Sequence, residues 1–277
     1  MKDNQILYFM INKLLENHIK NNVSDKNIAV LLSGGVDSLS VAFACEKLKY
    51  NITAYSFKLD NQSNYDFDKA EEVARKMNWK FVECIVPTNN LRQDFLHLNK
   101  KYECIKKTHY ECVFPFMYLY PLITEKYVIS GWAADGYYGV SKKACINYKE
   151  PKSKFDEFRD DYFKNFNRAG YNWHTLLAHK HNKIFITPYL DEEVKKYFYQ
   201  FDWYSLNKPN QKHHVRNAYK EYFDRIDTVK NHINLQIGSG ITRLFEKLIE
   251  DSIINFKNRK RIMDICRDWK DKEKYHG

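Results

Sequence analysis

Four short runs of apolar residues are spaced along the first half of the chain, each bounded by polar or glycine-containing segments. The clearest is residues 28–32, Ile-Ala-Val-Leu-Leu, which is as long as a strand and has no polar face. Such runs are typical of strands that are buried on both faces of a parallel sheet. The runs predict strands at 28–32, 52–57, 80–86 and 127–130.

Around these runs, apolar residues recur about every 3.6 positions, which predicts amphipathic helices. In residues 4–21, for example, Ile6, Met10 and Leu14 fall on one helical face. The same pattern predicts helices at 39–50, 66–78 (capped by Asp68), 89–107, 110–126 (broken near Pro115 and Pro121), 155–167, 171–181, 190–200, 211–224 and 240–256.

Strands that alternate with helices predict an α/β fold with parallel strands and right-handed crossovers. We expect a doubly wound parallel sheet of about five strands and a C-terminal helical region. The strand pattern fades after about residue 145. This change predicts an α/β domain over residues 1–145 and a mainly helical region over 146–277 that completes the site.

Composition narrows the class of protein. The chain has 277 residues, of which 44% are apolar, yet no apolar run approaches the roughly 20 residues that span a bilayer. Its first residues lack a signal-peptide pattern. Six cysteines without a Cys-x-x-Cys pair favour reduced thiols. We therefore expect a cytoplasmic protein with no membrane partner.

The net charge of +10 is uneven along the chain. Residues 1–150 hold 20 basic and 17 acidic side chains, whereas residues 151–277 hold 25 and 18. The excess suits an anionic partner such as ATP, an acidic substrate or nucleic acid. A solvated, lysine-rich surface explains it more simply, so nucleic acid is not the partner we favour.

The turn after the first predicted strand has the composition of a phosphate-binding loop. Its sequence is Ser33-Gly34-Gly35-Val36-Asp37-Ser38. The paired glycines let the backbone approach a ligand closely, while the two serine hydroxyls and the N–H groups of the following helix can donate to phosphate oxygens. Because the Asp37 carboxylate alone would repel phosphate, it predicts a divalent cation, Mg²⁺, between them.

This strand–turn–helix unit resembles the pyrophosphate-binding loop of the N-type ATP pyrophosphatases, which have a HUP, Rossmann-like fold. The resemblance implies that ATP is bound and cleaved between its α and β phosphates to adenylate a substrate. In the family, backbone groups at the end of the second strand hold the adenine, which here implies Ser56, Phe57 and Leu59. The nucleotide-binding residues so implied are Leu32, Ser33, Gly34, Gly35, Asp37, Ser38, Phe57 and Gly131.

A second glycine-containing turn follows the fourth predicted strand. It reads Ser130-Gly131-Trp132-Ala133-Ala134-Asp135-Gly136-Tyr137-Tyr138-Gly139. It is similar to the Ser-Gly-Glu-Gly-Ala-Asp-Glu-Leu-Phe-Gly segment of asparagine synthetases and β-lactam synthetases, except that Trp132 and Gly136 replace the two glutamates. If the first and fourth strands are neighbours, both turns face one crevice. Asp37 and Asp135 would then hold Mg²⁺ against the ATP phosphates.

Residues 210–218 resemble the Thr-Lys-x-x-Leu-Arg-x-Ala helix of the same family. The resemblance assigns Lys212 the family's role of contacting phosphate and stabilising the transition state, and names Asp135 with it as catalytic. A fixed ammonium suits adenylation because negative charge develops on the α-phosphate and the departing pyrophosphate. Segments 114–119 and 186–191 extend the resemblance.

The implied function is an AMP-forming amide ligase that adenylates a small-molecule carboxylate and transfers it to ammonia or an amine. Residue 2 is Lys2, where the family's glutaminase domain has its catalytic cysteine. We therefore expect free ammonia, an amine substrate or a separate amine-supplying protein. Two alternatives stay open: an enzyme that adenylates a base of tRNA or DNA, and a non-catalytic nucleotide-binding protein.

The acceptor half of the site is less defined. The polar stretches 102–109 and 170–179 are candidates for lining it. His109 and Glu111 are candidates to replace the family glutamate that Trp132 displaces.

Overall fold

Five parallel strands form one sheet in the computed structural model, which describes residues 2–60, 62, 64–104, 107–140, 151–164, 170–226 and 235–250. The strands are β1 Asn27–Leu31, β2 Asn51–Leu59, β3 Lys80–Val86, β4 Tyr127–Ile129 and β5 Ile184–Ile186. Their order in the sheet is β3-β2-β1-β4-β5, and each neighbouring pair is parallel. The predicted α/β fold with a five-stranded parallel sheet is confirmed.

The strand order reverses at β1. The chain adds β2 and β3 on one side of β1, then adds β4 and β5 on the other. Open parallel sheets bind ligands at such a reversal, in the crevice outside the carboxyl ends of the strands. Both glycine-containing turns leave from these ends, because one follows β1 and the other follows β4.

Apolar side chains cover both faces of the sheet. Along β1, Ile28 and Val30 belong to one apolar core, and Ala29 and Leu31 belong to a second. Since successive side chains of a strand point to opposite faces, this alternation means that each face packs against helices. The sheet is therefore doubly wound, as predicted.

Helices account for most of the remaining described residues. They are α1 Lys2–Asn22, α2 Val36–Lys47, α3 Tyr65–Met77, α4 Leu91–Tyr102, α5 Lys107–Leu119, α6 Ala134–Tyr138, α7 Lys152–Lys164, α8 Tyr171–Lys180, α9 Glu192–Phe198, α10 Trp203–Asn207, α11 His213–Ala218, α12 Lys220–Ile226, α13 Leu235–Gly238 and α14 Ile241–Glu250, with 3-10 turns at Tyr120–Leu122 and Pro188–Leu190. None of these helices is long and apolar enough to cross a membrane.

Several elements differ from the sequence predictions, including the helix predicted over 211–224, which is divided into α11 and α12. The predicted break at Pro115 is wrong, since α5 continues through that residue. Pro115 removes one backbone donor, but its neighbours Phe114 and Phe116 are buried, and this packing outweighs the local penalty. The sequence pattern does not predict β5, which has only three residues. This strand pairs with β4, with Phe185 opposite Val128.

The predicted boundary at residue 145 lies outside the described residues, as do residues 251–256 of the last predicted helix. β5 comes from beyond that boundary and joins the same sheet as β1 to β4. The division of the chain into two regions stays a prediction.

Asn64 connects the end of β2 to the start of α3. Its side-chain oxygen accepts hydrogen bonds from the N–H groups of Asp66 and Phe67, at 3.0 and 3.2 Å, and so caps the helix. Its Nδ2 donates to the Phe57 carbonyl oxygen at 3.1 Å, and the residue is 2% exposed. The predicted cap at Asp68 is wrong, because that residue lies inside the first turn.

Replacing Asn64 by alanine should lower the free energy of unfolding by about 2 kcal/mol. Loss of a helix N-cap costs about 1 kcal/mol, and loss of the buried bond to Phe57 costs about 1 kcal/mol more. Asp68→Ala is the matched control on the same helix turn and should change stability by less than about 0.5 kcal/mol. Urea denaturation of both variants measures the difference, and equal losses would contradict the assignment of the cap.

Candidate active site

A cavity of about 690 Å³ opens at the carboxyl ends of the strands around β1. This volume is in the range of small-molecule sites. Most of the site residues predicted from the sequence line it, including those named for phosphate, metal and catalysis: Leu32, Ser33, Gly34, Gly35, Asp37, Ser38, Phe57, Gly131, Asp135 and Lys212. Segments that are far apart in the chain therefore meet around one space.

The first turn leads directly into α2. The Ser33 N–H donates to Ser38 Oγ at 3.2 Å, and the Ser38 hydroxyl donates to the Gly35 carbonyl oxygen at 3.0 Å. Gly34 has a φ of +69°, which an L side chain rarely adopts. Gly35 caps α2 without a side-chain hydrogen bond, so the N–H groups at the start of this helix can receive an anion.

Gly131 lets the second turn lie directly against the first. A Cβ added at Gly131 would stand 2.3 Å from the Asp37 carbonyl oxygen and 2.7 Å from the Ser38 nitrogen. No side chain fits in that space, so glycine is required for backbone contact between the two turns. This contact brings the start of α6, with Asp135, beside the start of α2, with Asp37.

The Lys212 ammonium lies between the two carboxylates. Its Nζ donates to Asp37 Oδ2 at 2.5 Å and to Asp135 Oδ1 at 2.6 Å. Lys212 is 2% exposed, whereas the side chains of Asp37 and Asp135 are 18% and 38% exposed. One cation thus compensates two anions at the centre of the cavity.

Asn207 holds the backbone of Lys212 in place. Lys212 precedes α11 with a φ of +57°, and its N–H donates to Asn207 Oδ1 at 3.2 Å. The Asn207 amide in turn donates to the carbonyl oxygens of Tyr138 and Trp203 at 2.8 and 3.1 Å. Since Tyr138 belongs to α6, the same asparagine links Lys212 to the helix that carries Asp135.

Burial and charge shift the pKa values of this triad. Burial raises the pKa of Asp37 to about 7; Lys212 opposes this shift and Asp135 adds to it. Burial alone would lower the pKa of Lys212, but attraction by Asp135 and Asp37 leaves it raised, so the ammonium keeps its charge. The other carboxyl oxygen of Asp37, Oδ1, is buried and has no hydrogen-bond partner.

The two replaced glutamate positions are filled by aromatic rings. Trp132 itself lines the cavity. A Cβ added at Gly136 would stand 2.3 Å from the ring of Tyr162, which also lines the cavity. Aromatic side chains therefore stand where the resemblance expects carboxylates.

Some predicted acceptor residues do not reach the cavity. His109 packs its ring against Trp173 at 4.3 Å, and Glu111 accepts a hydrogen bond from Thr242 Oγ1 at 2.8 Å. Both are buried outside the lining, so the structure does not support them as replacements for the missing glutamate. Leu59 is fully buried and does not line the cavity either.

Sequence reasoning missed other lining residues. Lys69 on α3 is 6% exposed, and a Cβ at Gly34 would stand 2.5 Å from its Cγ, so its stem packs on the first turn. Arg216 follows Lys212 by four positions and is one turn further along the same segment. The signals were present, because Lys69 interrupts the apolar face of α3 and Arg216 matches the arginine of the family helix.

Three solved structures resemble this chain at low sequence identity. NMN synthetase from Francisella tularensis is 16% identical, with 83% of this chain and 98% of that chain covered and a TM-score of 0.37. NH3-dependent NAD synthetase from Campylobacter jejuni is 14% identical (83% and 99% covered, TM-score 0.33). A predicted subunit of tRNA methyltransferase from Methanocaldococcus jannaschii is 15% identical (70% and 86% covered, TM-score 0.35). These scores are too low to support a function.

A search of curated protein sequences finds no significant match. The asparagine synthase family model, in contrast, matches residues 10–183, which is more than half of the chain and includes both glycine-containing turns. Lys212 lies beyond the matched segment, but its ammonium contacts both carboxylates within it. The chain therefore belongs to the asparagine synthase family and is an ATP-dependent synthetase of the adenylating type.

Proposed function

We propose that this protein is an AMP-forming amide ligase that adenylates a small-molecule carboxylate and transfers it to ammonia or an amine. The observation that carries the proposal is the Lys212 ammonium, held between Asp37 and Asp135 beside the phosphate-binding turn. A synthetase that forms an acyl-adenylate needs such a fixed positive charge where the α-phosphate reacts.

In the first step, a substrate carboxylate oxygen forms a bond to the α-phosphorus of ATP, and the bond from that phosphorus to the pyrophosphate oxygen breaks. The pyrophosphate leaves with the bonding electrons. Lys212 stabilises the charge that develops, and the N–H groups at the start of α2 hold the phosphate oxygens. Little proton transfer is required, so the main work of these groups is to position and neutralise.

In the second step, the nitrogen of ammonia or an amine bonds to the acyl carbon, and AMP leaves with the electrons of the broken carbon–oxygen bond. The nitrogen releases its proton to solvent. A separate protein that supplies the amine is part of this proposal. The described cysteines are free thiols, as expected for a reaction in the cytoplasm.

Mg²⁺ belongs to the proposal as well. The residues fit it, because Asp37 Oδ1 is a buried oxygen without a partner and Asp135 shares the same ammonium. Asp37 and Asp135 would hold the ion, whose chemistry when bound is to neutralise phosphate oxygens. The described residues contain no group of three or more His, Cys, Asp or Glu side chains suited to a metal. Two carboxylates suffice when phosphate and water provide the other ligands.

Nucleic-acid modification is the second candidate, and the net charge of +10 favours it. Under this alternative, a base carbonyl oxygen replaces the carboxylate in the adenylation step. The affinity for a tRNA transcript or duplex DNA would then fall steeply as salt rises, since phosphate contacts release counterions. An absence of binding at low salt would exclude this candidate.

Replacing Lys212 by methionine should slow AMP formation by about 100-fold or more, the usual loss when a preorganised transition-state contact is removed. Methionine keeps an unbranched stem but has no charge. Lys220→Met is the matched control, because Lys220 is a surface lysine whose side chain is 68% exposed on α12, and its rate should stay at the wild-type level.

The measurement is AMP and pyrophosphate release with ATP, Mg²⁺ and candidate carboxylates, alongside a denaturation curve for each variant. A folded Lys212→Met protein with the wild-type rate would refute the assigned role of this lysine. A wild-type protein that never releases AMP would refute the proposed function.

The pH dependence of stability tests the charge balance at Asp37. Its pKa is about 7 in the folded protein, against 3.8 for an unperturbed aspartate. Between these values the folded state binds a proton that the unfolded state lacks, so the contribution of Asp37 to stability falls as pH rises from about 4 to 7. Above that range the contribution is constant.

We therefore expect the difference in the free energy of unfolding between wild type and Asp37→Asn to decline between about pH 5 and 7 and then to level off. Asparagine does not titrate, so the variant lacks this pH dependence. Asp224→Asn is the control, since this carboxylate is 62% exposed, pairs with Lys220 on the same helix and does not line the cavity. Its profile should run parallel to that of wild type. A wild-type profile parallel to that of Asp37→Asn would contradict the raised pKa.

A further inference from the structure

One side of the cavity is built from uncharged side chains. From α5, α7, α8 and the turn between β4 and α6, every described side chain that lines the cavity is neutral. We define the aromatic wall by six of these residues: Trp132, Tyr162, His174, Phe116, Cys112 and Thr108. Its α5 members are spaced four apart, so they share one face of that helix.

The titratable members of the wall are neutral near pH 7. Burial lowers the pKa of His174 to about 4, so the imidazole is uncharged. Burial is the main cause that raises the pKa of Tyr162 well above its usual value, and the nearby carboxylates of Asp135 and Asp37 add to it. The phenol therefore keeps its proton. Burial also raises the pKa of the Cys112 thiol, which is therefore not a thiolate.

Several members of the aromatic wall lie close together, and the wall adjoins the triad through Trp132. The rings of Phe116 and His174 lie 4.3 Å apart, and a Cβ at Gly170 would stand 3.6 Å from Cys112 and 3.8 Å from His174. The next residue, Tyr171, has its ring 5.4 Å from that of Trp132. Trp132 directly follows Gly131, the glycine that lies against the Asp37 backbone.

The position of the Trp132 backbone is defined by two hydrogen bonds. Its N–H donates to Ser130 Oγ at 3.2 Å, and its carbonyl oxygen accepts from Thr187 Oγ1 at 2.8 Å. These bonds fix the backbone from which the indole projects, at the position where the family has a glutamate. Trp132 lines the same cavity as the phosphate-binding turn.

The cationic side chains that line the cavity lie on elements outside the aromatic wall and already have partners. Lys212 binds the two aspartates, Lys69 contacts Glu72 at 3.3 Å, and Arg216 donates to the Gln211 carbonyl oxygen at 2.8 Å. An amino acid such as aspartate carries an ammonium and a second carboxylate, and both require paired charges once they leave water. The aromatic wall provides none.

We propose that the acid adenylated at this site has a flat, uncharged aromatic body that packs on the aromatic wall, in place of a charged amino acid such as aspartate. This inference rests on the proposed amide-ligase function. Aromatic rings gain from stacked or edge-to-face contact with Trp132 and Tyr162, beyond the gain from buried area. The carboxylate itself points to the triad, and the body needs no ionic partner.

ATP–pyrophosphate exchange tests the proposal, because it reports reversible adenylation of each acid. The probes are benzoate, 4-nitrobenzoate and aspartate at equal concentrations, with wild type, Trp132→Phe and Trp132→Glu. Wild type should exchange with the aromatic acids at least about tenfold faster than with aspartate. Trp132→Phe should keep this preference, and Trp132→Glu should reduce it about tenfold, because a carboxylate in the wall repels the acid and removes a stacking surface.

Binding gives a readout independent of turnover. 4-Nitrobenzoate should quench tryptophan fluorescence, and Trp132→Phe should remove part of that quenching while a denaturation curve shows that the variant is folded. Equal quenching in both proteins would overturn the inference even if the enzyme is active.

The outcomes separate the two proposals. Faster exchange with aspartate than with the aromatic acids would overturn the aromatic-acid inference and leave the amide-ligase function standing. Exchange with a tRNA transcript and with no carboxylate would overturn both. A wild type that exchanges with none of these substrates would refute the proposed function, and with it the inference.

Discussion

The site depends on one shared charge, the Lys212 ammonium between Asp37 and Asp135. The lysine comes from 175 and 77 residues away in the chain, so these two hydrogen bonds tie three separate segments together. Two carboxylates this close repel each other in a cavity where the dielectric constant is low, and a cation relieves that repulsion. The close backbone contact between Gly131 and Asp37 brings the two turns, and with them the two carboxylates, together.

The same arrangement explains how the site can handle phosphate despite its acidic residues. The two carboxylates use only part of their hydrogen-bonding capacity when they pair with Lys212, because Asp37 Oδ1 has no hydrogen-bond partner. A lysine that is paired and buried is already ordered, so little side-chain entropy remains to be lost when nucleotide binds. The residues that would contact ATP are thus already positioned before the nucleotide binds.

The acceptor half follows a different physical rule. At the two positions where the family has glutamates, this chain has Trp132 and a glycine that makes room for the ring of Tyr162. These changes replace charge with aromatic surface, and they do so beside an intact triad. In the function we propose, recognition on this side depends on shape and stacking, and the chemistry on the other side depends on electrostatics.

The sequence by itself determined the features that depend on local residue type. Apolar runs marked β1 and β4, because a strand that is buried on both faces is largely apolar. The first turn showed its phosphate chemistry because glycine, serine and a helix start act over a few neighbouring residues. The family resemblance then added Asp135 and Lys212. The structure brings both residues to the same cavity as the first turn.

Only the tertiary structure decided which distant groups meet. The cap of α3 is Asn64 because its amide also reaches Phe57, and α5 continues through Pro115 because its neighbours are buried. β5 needs the edge of β4 to exist as a strand. The aromatic wall draws on three helices and a turn, and Asn207 joins α6 to Lys212. The pattern of residues along the chain does not show which remote segments are close in space. Contacts between such segments are therefore seen only in the folded structure.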